Sequence, residues 1–487
     1  MDDLDSKHTR LDRVRIMTGF PNFKKSPNQL PLETVLQSLN LSEGENPLVF
    51  SFADKLRTHT LEVYQKIPKK SILLLNPQNS YQFLGGFLAG VARECEIFFG
   101  NPQWKKQEWE EVFNWIQPSA IVDQMGLNLL SAKQSEKAGK IMIPTGGSSG
   151  KIRFVIHDWH TLSASVNGFC NYFEQKTVNC FCVLPLYHVS GLMQFMRTFL
   201  TGGHLILYSY KTLETAWQNQ DLETIQQLET FPQQHYFLSL VPTQLQRLLN
   251  FGAGTWLSQF QAVLLGGAPP WKSLLDTARE SKIPLALTYG MTETASQVVT
   301  LKPHDFLAGN NSAGQVLPHA KIGIGDEMGE ILPTGNVGTV TIQSESLGFG
   351  YYPNSDWNRS AFVTDDLGYF DEAGYLYLVG RNSRKIITGG ENVFPDEVEA
   401  AILSTGLVTD VYVVGLEDKD WGEVVSAFYV PKDSSIAICE IERQLKQSLS
   451  NYKIPKQWFV VSSIPRNEQG KVNHQSVLLS DEKLIAP

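Results

Sequence analysis

The stretch Thr145–Lys151, "TGGSSGK", gathers hydroxyls, glycines and a lysine directly after the apolar run Ile141–Ile143. Gly146, Gly147, Ser148, Ser149 and Gly150 fit G-x-S-x-G, the turn that presents a nucleophilic serine, but that turn must be left by a helix. Here Ile152, Phe154 and Ile156 alternate with Arg153, Val155 and His157, the period of two that describes a strand. A Walker A loop would need Gly at 145 and Ser or Thr at 152, where this chain has Thr and Ile. What survives is strand, loop, returning strand. Its backbone N–H groups and the hydroxyls of Thr145, Ser148 and Ser149 can wrap a polyphosphate, with Lys151 supplying charge. A glycine-rich hairpin with no ligand stays open on the loop alone.

Four further stretches bear on that choice. "TYGMTE", Thr288–Glu293, sets a carboxylate where polyphosphate would repel it unless a metal intervened. "LLGGAPP", Leu264–Pro270, has glycines that let backbone approach a flat base. "TDDLGYF" with Gly380-Arg381 offers a carboxylate able to accept two hydrogen bonds from a cis-diol. "PRNEQGKVN", Pro465–Asn473, carries Lys471 just after Gly470.

Together and in this order, over roughly residues 45 to 475, these motifs resemble those of the acyl-adenylate-forming superfamily, which includes acyl-CoA synthetases, firefly luciferase and the adenylation domains of peptide synthetases. The resemblance implies that the Thr145–Lys151 loop grips ATP phosphates, although the usual Pro-Lys-Gly after it is Ile152-Arg153-Phe154. It implies that Gly266, Gly267 and Ala268 form the adenine turn, and that Tyr289 stacks near adenine beside Gly290 and Met291. Thr292 would bond phosphate, Glu293 would carry Mg²⁺, and Asp366 with Arg381 would hold the ribose. Asp365 stands where the family usually has Gly, and Ser383 replaces the common acidic hinge residue. Gly389 and Gly390, within "SRKIITGGENVFPDEVE", would line a tunnel for the thin pantetheine arm of coenzyme A. Lys471 would reach the substrate carboxylate and the α-phosphate. The implied chemistry is attack of a carboxylate on ATP, loss of pyrophosphate, and displacement of AMP by a thiol, with the C-terminal domain rotating about residues 381–385 between the two steps.

Within the superfamily, "LPLYHVSGLMQFMRTFLTGG" at Leu184–Gly203, "LLGGAPP", "YGMTETASQ" and the short chain are most similar to the o-succinylbenzoate-CoA ligases of menaquinone and phylloquinone synthesis. That likeness makes His188 the residue that gates or orients the reacting carboxylate, and Ser190, Arg197, Gly267 and Ser296 acyl-pocket residues. Read without it, Arg197 is a helix arginine with its stem packed and its head in solvent. An acyl-CoA synthetase for another aryl or short-chain acid shares every core motif. A non-catalytic ATP-binding module would show a degraded Lys471 or Glu293 motif, and both are intact.

The elements that must position these residues follow from hydrophobic rhythm. From about 70 to 300, short apolar runs (Ile72–Leu75, Ile141–Ile143, Phe181–Leu184, His204–Tyr208, Phe237–Val241, Ala262–Leu265) alternate with helical segments, as in α/β folds with mostly parallel sheets. Phe83–Phe99, broken by Arg93, Glu94 and Glu96, reads as a buried helix leading into a strand rather than a membrane span. Residues 320–380 read as short strands of a small barrel or meander. After Arg381 the pattern becomes α+β, with two strands around a loop in "VYVVGLEDKDWGEVVSAFYV" and a helix striped by Ile441, Leu445 and Leu449. The expectation is therefore a large α/β N-terminal domain with parallel sheets and a small β-barrel, residues 1–381, and a smaller mobile α+β C-terminal domain, 382–487.

At 487 residues, with 42% hydrophobic and 19% charged, the chain can bury more than one core. A net charge of −9 argues against nucleic acid or an anionic membrane as partner. Five cysteines, an odd count, fit reduced thiols, and the polar, acidic start lacks the apolar region of a secretory leader, so a cytoplasmic enzyme is expected. Its small-molecule partners would be a carboxylic acid, ATP, Mg²⁺ and coenzyme A; a homodimer stays open.

Overall fold

The computed structural model describes residues 12–15, 47–146, 152–353, 355–357, 360–388, 390–419, 421–466, 472 and 477. Two eight-stranded sheets dominate it. In the first, Lys140–Gly146, Glu96–Phe99, Ile72–Leu75 and Ala120–Asp123 run parallel in that spatial order. In the second, His204–Leu207, Asn179–Cys182, Tyr236–Leu240, Ala262–Leu265 and Leu285–Met291 do the same. Each of the six apolar runs named from sequence falls on a strand, although Val183 and Leu184, Tyr208 and Val241 lie just past the ends of theirs, and the continuous burial of Ile72–Leu75 and Ala262–Leu265 is what a strand covered on both faces requires.

The cover is a layer of helices held between the sheets. Ser80–Ala92, Trp159–Phe173 and Val189–Thr201 contribute to one core with Leu73, Ile97 and Ile141 of the first sheet and Cys180, Phe237 and Ala286 of the second. Gln82 through Gly90 are buried without a break, so this helix is apolar on every side, as a helix between two layers must be. It leads into Glu96–Phe99 as expected. No helix among the described residues is long and apolar enough to cross a membrane.

Residues 320–381 form an antiparallel sheet in the order Ala320–Gly325, Gly338–Ser344, Phe362–Phe370, Leu376–Arg381. These are the short strands expected there of a small barrel or meander, and the last of them is bridged in turn at Leu376 by Gly314, just before Gln315–Val316 joins the edge of the second sheet. The C-terminal part is a five-stranded sheet with its own core of Val398, Ile402, Val413, Ala427, Ile441 and Leu445. Val408–Asp418 and Gly422–Pro431 are the expected two strands around a loop. Its helix Ile438–Leu445 is shorter than the stripe implied. Leu449 lies beyond the helix end, half-buried against the same core, because Ser448, Ser450 and Asn451 favour turns over helix.

Candidate active site

The hairpin is as the sequence required: Lys140–Gly146 and Ile152–Asp158 pair antiparallel, ending with Gly146 opposite Ile152 and Thr145 opposite Arg153. Gly147, Ser148, Ser149, Gly150 and Lys151 lie outside the described residues, as do Gly389 and Lys471. The returning strand departs from simple alternation. Only Arg153 is exposed on it, and His157 is fully buried. The reason is a task for the imidazole: Nε2–H donates to the Thr292 carbonyl at 2.7 Å, while Nδ1 lies 3.0 Å from the Thr161 hydroxyl. His157 thereby fastens the "TYGMTE" segment to the hairpin.

A second fastening carries Glu293. Gly350–Tyr352 pairs with the returning strand, Tyr351 opposite Val155, and the Tyr351 hydroxyl donates to Glu293 Oε1 at 2.6 Å. Burial, then the Glu293 charge, raises the Tyr351 pKa, so it stays a donor at neutral pH. The Arg153 guanidinium sits 5.6 Å from the Tyr351 ring centre. No cluster of three potential metal-binding side chains occurs among the described residues. One carboxylate suits Mg²⁺, which commonly shares its coordination among one or two carboxylates, phosphate oxygens and water.

Leu285–Met291 delivers the rest of the motif. It pairs antiparallel with Ser296–Thr300 through a bulge at Tyr289/Gly290. A Cβ on Gly290 would fall 2.2 Å from the Ser296 carbonyl oxygen, so only glycine permits this approach. Tyr289 is 7% exposed and donates its hydroxyl to Asp366 Oδ2 at 2.7 Å, while Arg381 Nε donates to Oδ1 at 3.1 Å. Burial and then the Asp366 charge push the Tyr289 pKa up. Asp365 is engaged elsewhere: it accepts from the Ser383 N–H at 3.0 Å and from the Ser383 hydroxyl. The Gly266–Ala268 turn follows the neighbouring strand; Gly267 has φ +87°, and the Thr288 hydroxyl ties the two strands by donating to the Leu265 carbonyl at 3.2 Å. Gly390 sits at φ +86° in the short turn before Glu391–Val393.

On the acyl side, His188 caps the start of Val189–Thr201, with its ring 4.5 Å from that of Tyr187. Ser190 is half-buried in the first turn, its carbonyl accepting from Gln194 Nε2 at 3.1 Å. Arg197 does not reach solvent. It is 2% exposed, with Nη2 donating to Gln297 Oε1 at 2.9 Å and to the Ser296 hydroxyl at 3.2 Å, and its guanidinium 4.3 Å from the Phe169 ring centre. The packed-stem, wet-head reading is thus overturned, because the helix runs between two sheets rather than over a surface. No carboxylate pairs with Arg197 among the described residues. Ser296, its partner, has φ +90° next to Ala295 at +51°, a turn that L-residues seldom adopt. Three hydroxyls hold it: Ser165 to the Ala295 carbonyl at 2.7 Å, Thr294 to the Ser296 carbonyl at 2.6 Å, and Ser346 to the Thr294 carbonyl at 2.8 Å.

Motif reading did not single out His157 or Tyr351 as site residues. In the sequence His157 is only one member of an alternating strand, and Tyr351 belongs to "GFGYY", which carries no spacing signal. Each acts across more than fifty residues of sequence, on Thr292 and Glu293.

Comparison with known proteins agrees with this geometry. The model of the AMP-binding enzyme family matches residues 101–352, and that of the AMP-binding enzyme C-terminal domain matches 397–471. The chain is 34% identical over 481 residues to a 2-succinylbenzoate–CoA ligase of Listeria innocua, covering 90% of this chain and 97% of that protein. It is 34% identical over 369 residues to the enzyme of the same name from Listeria monocytogenes, covering 74% and 73%. Among solved structures, o-succinylbenzoate CoA synthetase from Bacillus subtilis, in complex with its acyl-adenylate intermediate OSB-AMP, superposes with TM-score 0.73 at 25% identity over 88% of this chain and 92% of that one. ATP-bound MatB from Rhodopseudomonas palustris, at 20% identity, TM-score 0.72 and coverage of 95% and 100%, shares the fold. With an AMP-binding model spanning more than half the chain, a full-length relative at 34% identity and the shared fold, this chain belongs to the AMP-binding enzyme family.

Proposed function

We propose that this protein is an AMP-forming acid–thiol ligase that adenylates o-succinylbenzoate with ATP and passes the acyl group to coenzyme A. Its relatives of nearly equal length bear that name, and the observation that carries the choice of acid is Arg197. An arginine this buried, with neutral partners only, is costly to keep charged, and desolvation already lowers its pKa. A ligand anion repays that cost. o-Succinylbenzoate has two carboxylates, of which only the one on the succinyl arm is activated. The aryl carboxylate is the anion that Arg197 answers.

The remaining roles divide as follows. The Thr145–Lys151 loop and Thr292 bind the phosphates, and Asp366, pre-aligned by Tyr289 and Arg381, takes the ribose hydroxyls. Gly266–Ala268, with Tyr289, Gly290 and Met291, flanks adenine. Glu293, oriented by Tyr351, would hold Mg²⁺, which offsets phosphate charge as pyrophosphate departs. His188, at the mouth of the acyl side, orients the succinyl carboxylate toward the α-phosphate, beside Ser190. Lys471 then stabilises the charge that builds on the α-phosphate. Residues 1–381 form the adenylation domain and 382–487 a mobile domain turning at Ser383, whose Gly389–Gly390 loop admits the pantetheine arm for thiol attack. Five thiols outside any disulfide are in keeping with a cytoplasmic protein, acting as monomer or homodimer.

The test is Arg197→Ala. Truncating one partner of a buried charged pair costs about 2–5 kcal/mol, or roughly 30-fold to several thousand-fold in kcat/KM. The variant should lose that much on o-succinylbenzoate while the KM for ATP stays near the unmutated value. Full activity in the variant would remove the aryl carboxylate from this site.

A further inference from the structure

The acyl side holds more unanswered polar atoms than Arg197 alone. Gln315–Val316 pairs antiparallel with Ser296–Thr300, Val316 opposite Val299, and the Leu317 N–H donates to the Val298 carbonyl at 2.8 Å. Beyond Leu317 the chain turns, the Ala320 N–H donating to the Leu317 carbonyl at 3.0 Å, and His319 sits in that turn. The backbone there is fixed, since the His319 carbonyl accepts from the Ser344 hydroxyl at 3.1 Å and the Glu345 N–H at 3.2 Å. The ring lies in a notch of the Trp159–Phe173 helix: a Cβ on Gly168 would fall 1.8 Å from His319 Nδ1. The next helix residue, Phe169, carries the Arg197 guanidinium on its ring.

A histidine seated with such care is normally hydrogen-bonded. Neither His319 nitrogen has a partner, nor does Arg197 Nε, nor Gln194 Oε1 one turn earlier on the same helix. Buried polar atoms are nearly always satisfied, so four orphans around one cation mark the place of a polar guest. Burial and the Arg197 charge lower the His319 pKa to about 4, which leaves the imidazole neutral at neutral pH, with one N–H to give and one nitrogen to accept.

We propose that His319 is a specificity-determining residue of the acyl pocket, donating its N–H, directly or through one ordered water, to the aryl carboxylate whose charge Arg197 balances. This rests on the diacid reading above and adds its second recognition element. A neutral donor suits the place: it fixes the orientation of the carboxylate without adding a second buried cation.

The experiment compares KM and kcat for o-succinylbenzoate, for ATP, and for 4-oxo-4-phenylbutanoate, which keeps the reacting arm and lacks the aryl carboxylate. His319→Phe removes both nitrogens and keeps ring volume; His319→Gln restores a donor. His319→Phe should raise the KM for o-succinylbenzoate by about tenfold or more, leave the KM for ATP and for the monoacid unchanged, and be largely rescued in His319→Gln. An unchanged o-succinylbenzoate KM, or an equal rise for both acids and ATP, overturns the inference while the functional reading stands. Unmutated protein that releases no pyrophosphate with o-succinylbenzoate overturns both.

Discussion

Asp365 and Asp366 are neighbours in sequence with separate partners, and their division of labour depends on which face of one strand each occupies. Asp366 points to Tyr289 and Arg381, Asp365 to Ser383. Two departures from the family pattern thus meet: the extra acid at 365 supplies a carboxylate to Ser383, which stands where the family commonly has an acid. The same economy holds at Glu293, where Tyr351 occupies Oε1 and sets the direction of the carboxylate. Replacing that charge should be felt through the metal. Glu293→Gln should shift the Mg²⁺ concentration for half-maximal pyrophosphate release upward by about tenfold, with slower adenylation at saturation, as expected when a cation loses a charged ligand. A Mg²⁺ titration superimposable on that of the unmutated enzyme would take Glu293 out of the phosphate site.

At the scale of elements, the site is a meeting of three segments: the loop hairpin, the bulged pair Leu285–Met291 with Ser296–Thr300, and the Val189–Thr201 helix. The bulge sets their spacing, and Gly290 is its narrowest point. Gly290→Ala forces the added methyl against the Ser296 carbonyl and should lower stability by about 1–3 kcal/mol, seen as a lower urea midpoint, while also displacing Ser296 from Arg197. An unchanged midpoint would mean the bulge relaxes freely. These segments were legible to different degrees. The strands and the buried Ser80–Ala92 helix were plain from continuous apolar runs, because burial on both faces leaves no alternation to misread. The alternation over Ile152–Asp158 shows a strand but not that its second face is covered, since a buried histidine looks like an exposed one in a period-two pattern. How the short strands of 320–381 pair, with Leu376 bridged back to Gly314, lies in long-range contacts that turn residues do not encode.

Across the whole molecule, two sheets clamp a helical layer, and the proposed phosphate-side residues are tied across them, Thr292 to His157 and Glu293 to Tyr351. Local motifs supply most of the proposed site residues because glycine, threonine and acid requirements are imposed within a few positions of chain. Recognition of the acid was less legible. Arg197 lies about a hundred residues from Ser296 and Gln297, and His319 is farther still, so the meeting of these polar groups around a guanidinium with no carboxylate partner among the described residues exists only in the fold. A buried cation so surrounded has a direct consequence for substrate choice. The measurement is pyrophosphate release from ATP and Mg²⁺ with o-succinylbenzoate and, separately, with 4-oxo-4-phenylbutanoate and benzoate, each with coenzyme A present and absent. Release should be fastest by at least about tenfold with the diacid, and coenzyme A should convert the adenylate to thioester. A monoacid that matches or outperforms the diacid would contradict the account.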